Sequence, residues 1–167
     1  GRPAICICHD TRFFSREFAE LAARIITGLG CDAYLFDAPR STPQLSFAVR
    51  MVGAQAGINI TASHNPPQYN GYKVYFEDGC QVVEPHASAI IARVNAVESE
   101  EFQVVANPGS VIPLGVENDE AYMERLATLP LDPDVIRRAQ GLKIVYTPLH
   151  GVGGAIIKPM LTRLGFH

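Results

Sequence analysis

Between Thr61 and Lys73 the chain reads Thr-Ala-Ser-His-Asn-Pro-Pro-Gln-Tyr-Asn-Gly-Tyr-Lys, which sets a hydroxyl, an imidazole, an amide and a cation within thirteen residues. Ser63 offers an oxygen nucleophile. A free serine hydroxyl is a poor one, so a covalent role requires a neighbouring base, a metal, or a simple transfer such as a phosphoryl shuttle. His64 adjoins it, but neighbours on an extended segment point to opposite sides, so His64 need not touch the Ser63 oxygen and is free to orient the loop or contact a phosphate. Lys73, ten residues on, can bring its charge to phosphoryl oxygens. The competing role is a surface loop whose serine, histidine and asparagine satisfy local backbone groups, and residue types alone leave the choice open.

Strands and helices in alternation must hold this loop. Ala4 to Cys8 is a short apolar run ending in His9-Asp10-Thr11-Arg12, after which a helix is predicted from Ser15, with Ser15 as its cap and Gly30 as a left-handed stop. Phe18, Leu21, Ala22, Ile25, Ile26 and Leu29 fall on one face of it, the apolar stripe of an amphipathic helix. Ala33 to Phe36 reads as a second strand. Thr42 and Pro43 read as the N-cap and first turn of a helix reaching about Met51. Gly57 to Thr61 is a strand that feeds the polar loop, where Asn65 is biased to extended backbone and Pro66 and Pro67 fix their φ angles. Ligands of open α/β sheets bind where strands end. Tyr72–Phe76 and Cys80–Val83 read as a hairpin across Asp78-Gly79, and Pro85 to Val97 as a helix.

An acidic stretch and the turn cluster Asn107-Pro108-Gly109 mark a linker or edge strand over 98–112. Two short helices are predicted next, over Asp119–Thr128 and from Asp132-Pro133. Lys143–Thr147 then reads as a strand, Pro148–Gly154 as a glycine-bearing loop and Ala155–Leu164 as a helix. The expected organisation is α/β: one unit over 1–112, incomplete at its start, and the opening of a second over 113–167, one strand and one helix being too little for an independent sheet.

The 167 residues, 47% hydrophobic and 19% charged, suit a folded chain able to bury a core without disulfides. A net charge of -3 offers no field for nucleic acid, and any anion must be held locally. No apolar run reaches the roughly 20 residues of a bilayer span, so neither membrane nor nucleic acid is an expected partner, and a cytoplasmic location is expected. Cys6, Cys8, Cys31 and Cys80 lack the spacing of a zinc site and read as buried free thiols.

The Thr61–Lys73 string closely resembles the phosphoserine loop of the α-D-phosphohexomutases, the phosphoglucomutase/phosphomannomutase family, with serine, histidine, asparagine, proline, glycine and lysine in register. His9–Ser15, Phe36–Pro43 and Tyr146–Gly154 resemble the branch containing phosphoglucomutases and phosphopentomutases. The resemblance implies a four-domain enzyme, of which this sequence covers most of the first three-layer α/β/α domain, with its mixed sheet, and the start of a similar second. It implies that Ser63 carries the transferred phosphoryl group and gives a magnesium ion an oxygen through it, with His64 and Lys73 lining the transfer site. Asn65, Asp10 and Arg12 are carried over as contacts to the substrate or its phosphate, with a loop brace as the rival role for the Asp–Arg pair. The reaction implied interconverts a sugar 1-phosphate and 6-phosphate through a bisphosphate, with glucose the expected sugar, mannose or pentose the alternatives, and glucose 1,6-bisphosphate the expected activator.

The family's aspartate-rich metal loop, sugar-recognition loop and phosphate-binding loop are missing from this sequence, and they are the partners the chain would need. The expectation is that these 167 residues alone do not turn over substrate. A non-catalytic sugar-phosphate-binding module that kept the loop is the rival class. His150-Gly151-Val152-Gly153-Gly154, between strand and helix, could receive an anion on its N–H groups or serve only as a tight turn.

Overall fold

A computed structural model describes residues 1–166. Ala4–His9 (β1) lies at the centre of a five-stranded sheet. Asp32–Phe36 (β2) and Ala56–Ile60 (β3) pair with it in parallel on either side. Tyr72–Phe76 (β4) pairs antiparallel with β3, and Val111–Leu114 (β5) pairs parallel with β2, which gives the order β4-β3-β1-β2-β5. The edge strand expected within 98–112 thus forms at 111–114, where Pro113, lacking a donor, is tolerated because the strand has one neighbour.

Both faces of the sheet are covered, so each strand divides its side chains between two cores. Ser15–Gly28 (α1) packs on one face against Ile7, Ala33, Ile58 and Ile60. Thr42–Val52 (α2) packs on the other, where Leu45, Ala48 and Val49 meet Cys6, Cys8, Phe36 and Tyr75. These are the three layers expected, around a mixed sheet. The packed face of α1 is its alanines, Ala19, Ala22 and Ala23, which let the helix approach the sheet closely. Of the predicted stripe, Ala22 and Ile26 join that core, whereas Phe18, Leu21 and Leu29 stay 46%, 44% and 53% exposed.

Several local predictions need correction. Ser15 does not cap α1; the residue before the helix is Phe14, with φ 62°, and the Ser15 hydroxyl donates to Asp10 instead. Thr42 does not cap α2, because Ser41 precedes the helix and the Thr42 hydroxyl accepts from Asn59. The arm Cys80–Val83 pairs only through a Tyr75–Gln81 bridge, and no strand forms there. Lys143–Thr147 is not a strand either, since no neighbouring strand offers it a ladder among the described residues. Gly30, at φ 91°, does provide the left-handed turn after α1.

His86–Asn95 (α3) buries no residue. Val116–Ala127 (α4) starts three residues before the prediction and lies against α2, with Phe47 and Tyr122 rings 5.3 Å apart. Pro133–Arg138 (α5) is capped by Asp132 as its Asp-Pro start implies. Ile157–Arg163 (α6), behind a 3₁₀ turn at Gly153–Ala155, joins α4 through Met123, Ile156 and Met160. No helix is long and apolar enough to cross a membrane among the described residues.

A buried ion pair ties α4 to the first unit. Arg40 donates from Nε and Nη2 to both Asp119 oxygens at 2.7 and 2.6 Å, and Gln44 donates to Asp119 and Asn118. Burial opposes the Asp119 charge, but hydrogen bonds from Arg40 and Gln44 outweigh it and hold the carboxyl below its ordinary range. Replacing Arg40 with leucine strands that carboxylate and is expected to cost about 3–5 kcal/mol in urea unfolding. Because the Asp119 pKa is lowered in the fold, its contribution is complete above the unfolded value and is lost as pH falls through the folded one. Asp119→Asn therefore flattens the acid limb of the stability profile relative to wild type.

The thiols divide into two classes. Cys6 and Cys8 are buried, and burial pushes each up to about 12. Cys31 is half-buried and Cys80 exposed, so burial holds for two of the four and not for Cys80. A thiol reagent at pH 8 is expected to label Cys80 and leave Cys6 and Cys8 unmodified until the protein is denatured, as peptide mapping would show.

Candidate functional site

The carboxyl ends of β1 and β3 lie side by side, and the loops leaving them meet above the sheet edge. Asp10 is where they join. Its Oδ1 accepts from the Arg12 N–H and the Ser15 hydroxyl at 2.9 and 2.7 Å, and its Oδ2 accepts from the Thr61 hydroxyl at 2.6 Å. The Thr61 oxygen in turn accepts the Ser63 N–H at 3.0 Å. A carboxylate has about four lone-pair sites, and here they are filled by protein, with Arg12 Nε at 3.3 Å as a further partner.

Arg12 grips the other loop. Its Nη1 donates to the carbonyls of Pro66 and Tyr69 at 2.8 and 3.0 Å, and its Nη2 to those of Ser63 and Asn65 at 2.8 and 2.5 Å. Its Nε lies 3.3 Å from Asp10 Oδ2 as an ion pair, and both Nη nitrogens are engaged by the loop. The geometry thus shows Asp10 and Arg12 bracing the Ser63 loop, the rival role read for the pair, while both residues also line the cleft beside Ser63. Asn70 closes the loop from the far side, donating to the Ser15 hydroxyl and the Phe13 carbonyl and accepting the Gly71 N–H. A Cβ at Gly71 would lie 2.7 Å from the Thr61 carbonyl, so glycine is needed where the returning chain crosses.

Held this way, Ser63 takes φ 55°, a left-handed conformation that a serine adopts only where its surroundings compensate. That turn removes the alternation of an extended segment, and His64 Nδ1 sits 3.3 Å from Ser63 Oγ. The expectation that His64 need not meet the serine oxygen gives way to a direct contact. The side chains of Ser63, His64 and Asn65 are exposed. With Asp10, Arg12, Thr61 and Phe13 they line a cleft of about 810 Å³ that His150, Gly151 and Val152 line as well. Lys73 is half-buried in β4, opposite Asn59, and is not among the cleft's lining residues.

Sequence reasoning missed the parts played by Thr61, Ser15 and Asn70, which fix the residues of the Ser63 loop in place. Thr61 and Asn70 stood inside the motif string. Only the fold reveals that their partners are Asp10 and Ser15 on another loop. Among the described residues no group of three or more His, Cys, Asp or Glu side chains is placed to hold a metal ion.

The arrangement defines an α/β/α unit that presents a rigidly aimed serine hydroxyl at the carboxyl ends of its parallel strands. The profile of phosphoglucomutase/phosphomannomutase, alpha/beta/alpha domain I, matches residues 1–101. A phosphoglucomutase of Staphylococcus haemolyticus is 39% identical across 98% of this chain, which covers 30% of that protein. A Haemophilus influenzae protein assigned as a phosphomannomutase is 36% identical across 98% of the chain and 33% of its own length. The solved structure of a protein from Thermus thermophilus, also assigned as a phosphomannomutase, superposes with a TM-score of 0.81 at 33% identity, over the whole chain and 36% of its own. The chain spans about a third of the length of the curated relatives it matches. It belongs to the phosphoglucomutase/phosphomannomutase family.

Arg12→Lys tests the brace, because one ammonium cannot serve four carbonyls spread over Ser63 to Tyr69. Amide exchange over residues 62–70 is expected to quicken by about tenfold or more while the strands keep their protection. Unchanged exchange in the loop would show that Arg12 is dispensable to it.

Proposed function

We propose that this chain is the phosphoryl-carrying part of a phosphohexomutase that interconverts a sugar 1-phosphate and 6-phosphate, with Ser63 as the residue phosphorylated. The observation that carries this reading is Ser63 itself. It is held at positive φ by a network that leaves its hydroxyl facing an 810 Å³ cleft, with His64 Nδ1 at 3.3 Å. A network that immobilises a loop while leaving one oxygen exposed serves positioning, and positioning with charge neutralisation is most of what phosphoryl transfer asks of a protein.

In the forward half, the bond between phosphorus and Ser63 Oγ breaks as a bond from a sugar hydroxyl oxygen forms; that hydroxyl gives up its proton and Ser63 Oγ takes one. In the return half, the bond between the other phosphate and its sugar oxygen breaks as the bond to Ser63 Oγ forms; the serine proton leaves and the sugar oxygen regains one. His64 Nδ1 is placed to exchange the serine proton. Asn65 stands beside it with its side chain open to the ligand. The Lys73 side chain makes no hydrogen bond or ion pair among the described residues, and its long stem would have to reach from β4 to bring charge to the transfer site.

Magnesium belongs to the proposal through phosphoserine oxygens, with its remaining ligands supplied by other parts of the longer protein, and when bound it would neutralise charge on the phosphoryl group. Glucose 1,6-bisphosphate is the proposed activator because it can phosphorylate a resting serine. Glucose is the proposed sugar, on the likeness of Phe36–Pro43 and Tyr146–Gly154 to phosphoglucomutases and on the phosphoglucomutase relative. A Schizosaccharomyces pombe relative is assigned as a phosphoribomutase, so mannose and pentose phosphates belong in the same assay.

The test is made on the protein at its relatives' length. Exposure to glucose 1,6-bisphosphate and magnesium is expected to add one phosphoryl group to wild type and none to Ser63→Ala by intact mass. The variant should lose turnover by on the order of 10³-fold or more. Sugar-phosphate binding without phosphorylation or turnover would replace the enzyme by the non-catalytic binding module.

A further inference from the structure

The cleft that Ser63 faces is also lined by a loop from far along the chain. His150, Gly151 and Val152 share its lining with the Ser63 loop, although about half the sequence separates the two. The Thr11 hydroxyl donates to the His150 carbonyl at 3.3 Å, which fastens the β1 loop to this one. Within the loop, Gly151 N–H bonds the Pro148 carbonyl at 2.7 Å and Leu149 N–H bonds the Thr147 hydroxyl at 3.2 Å, so the turn is closed on itself.

The backbone of His150 is in an unusual state. Its φ is 60°, and among the described residues only Phe14 and Ser63 share a positive φ without being glycine. Ser63 and His150 both line the cleft, and Phe14 follows its lining residue Phe13. Such conformations cost on the order of 1–3 kcal/mol and concentrate at functional sites. The next residue is Gly151, so a chain that wanted only a turn had a glycine one position away. Histidine at 150 is exposed, and no hydrogen bond engages its ring among the described residues. A left-handed bend that carries an imidazole, and then leaves that imidazole unpartnered at a cleft wall, stores strain for the sake of something outside the chain.

We propose that His150 is a binding residue of this cleft, its imidazole donating to phosphate oxygens of the sugar phosphate, and that Thr11 is the positioning residue that sets its loop. The inference rests on the reading that the cleft receives a phosphorylated sugar. It adds a second imidazole to the site beside His64, so a ligand meets two elements that the chain brings together only by folding.

Steady-state kinetics on the full-length protein, with intact mass to follow Ser63 phosphorylation, separate the possibilities. His150→Gly removes the ring while suiting the left-handed backbone, so a loss cannot be blamed on strain. KM for the sugar phosphate is expected to rise by about tenfold or more, with thermal stability equal to wild type or higher. His150→Asn, which tolerates the same backbone and keeps a donor, should recover part of the loss. Thr11→Val should raise KM by a smaller factor. If wild type turns over and gains its phosphoryl group while His150→Gly matches it in KM and kcat, this proposal is overturned and the phosphoserine reading stands. If wild type itself shows neither phosphorylation nor turnover, both fall together.

Discussion

A guanidinium carries five N–H donors in one plane, and Arg12 commits its four Nη donors to four carbonyls of the loop that bears Ser63, while its Nε forms an ion pair with Asp10 at the end of β1. The Arg12 side chain is 11% exposed, although the carbonyls it holds belong to exposed loop residues. Carbonyls that converge on a single cation cannot at the same time point along a strand or into a helix. The loop between β3 and β4 therefore has no regular structure and yet is not free to rearrange. Pro66 and Pro67 reduce the entropy lost in ordering it, Gly71 allows the return past Thr61, and Arg12 supplies the attraction.

Strain follows from the same constraint. To turn its carbonyl toward Arg12 while its N–H meets the Thr61 hydroxyl, Ser63 enters the left-handed region. Isolated in a flexible loop, a serine would relax out of it. Here each bond that would have to break to permit relaxation is shared with another: Thr61 holds Ser63 and is held by Asp10, and Asp10 holds Ser15 and Arg12. The contact between Ser63 Oγ and His64 Nδ1 is a product of that bend, since extended backbone would have sent the two side chains apart.

This is also why some of the molecule was legible in the sequence and some was not. Short apolar and β-branched runs located β1, β2, β3 and β4, and the motif string located the site, because each of those signals is local. The packed face of α1 was misjudged because a wide apolar arc does not say which part meets the sheet, and alanines won by allowing closer approach than Phe18 and Leu21 permit. Lys143–Thr147 had strand composition without a partner, and a ladder cannot form from one side. The Asp-Arg pair was seen as a candidate for either phosphate or loop. The brace depends on carbonyls fifty-one to fifty-seven residues away, which no spacing rule exposes. The serine–histidine contact was hidden by the assumption of extended backbone that the brace removes.

The two halves of the cleft belong to different stretches of chain, so its width depends on how those stretches are tied. One tie is polar and lies at the rim, from the Thr11 hydroxyl to the His150 carbonyl. Another is ionic and buried, where Arg40 and Gln44 of the first unit hold Asp119 on α4, and α4 packs on α6 through Met123, Ile156 and Met160. They differ in kind. An exposed hydroxyl–carbonyl bond contributes little net stability and exchanges readily with water, whereas separating a buried ion pair exposes an unpaired charge to a medium that solvates it poorly. The buried pair therefore resists separation more than the rim bond does, and of the two ties the one at the cleft is the more easily broken.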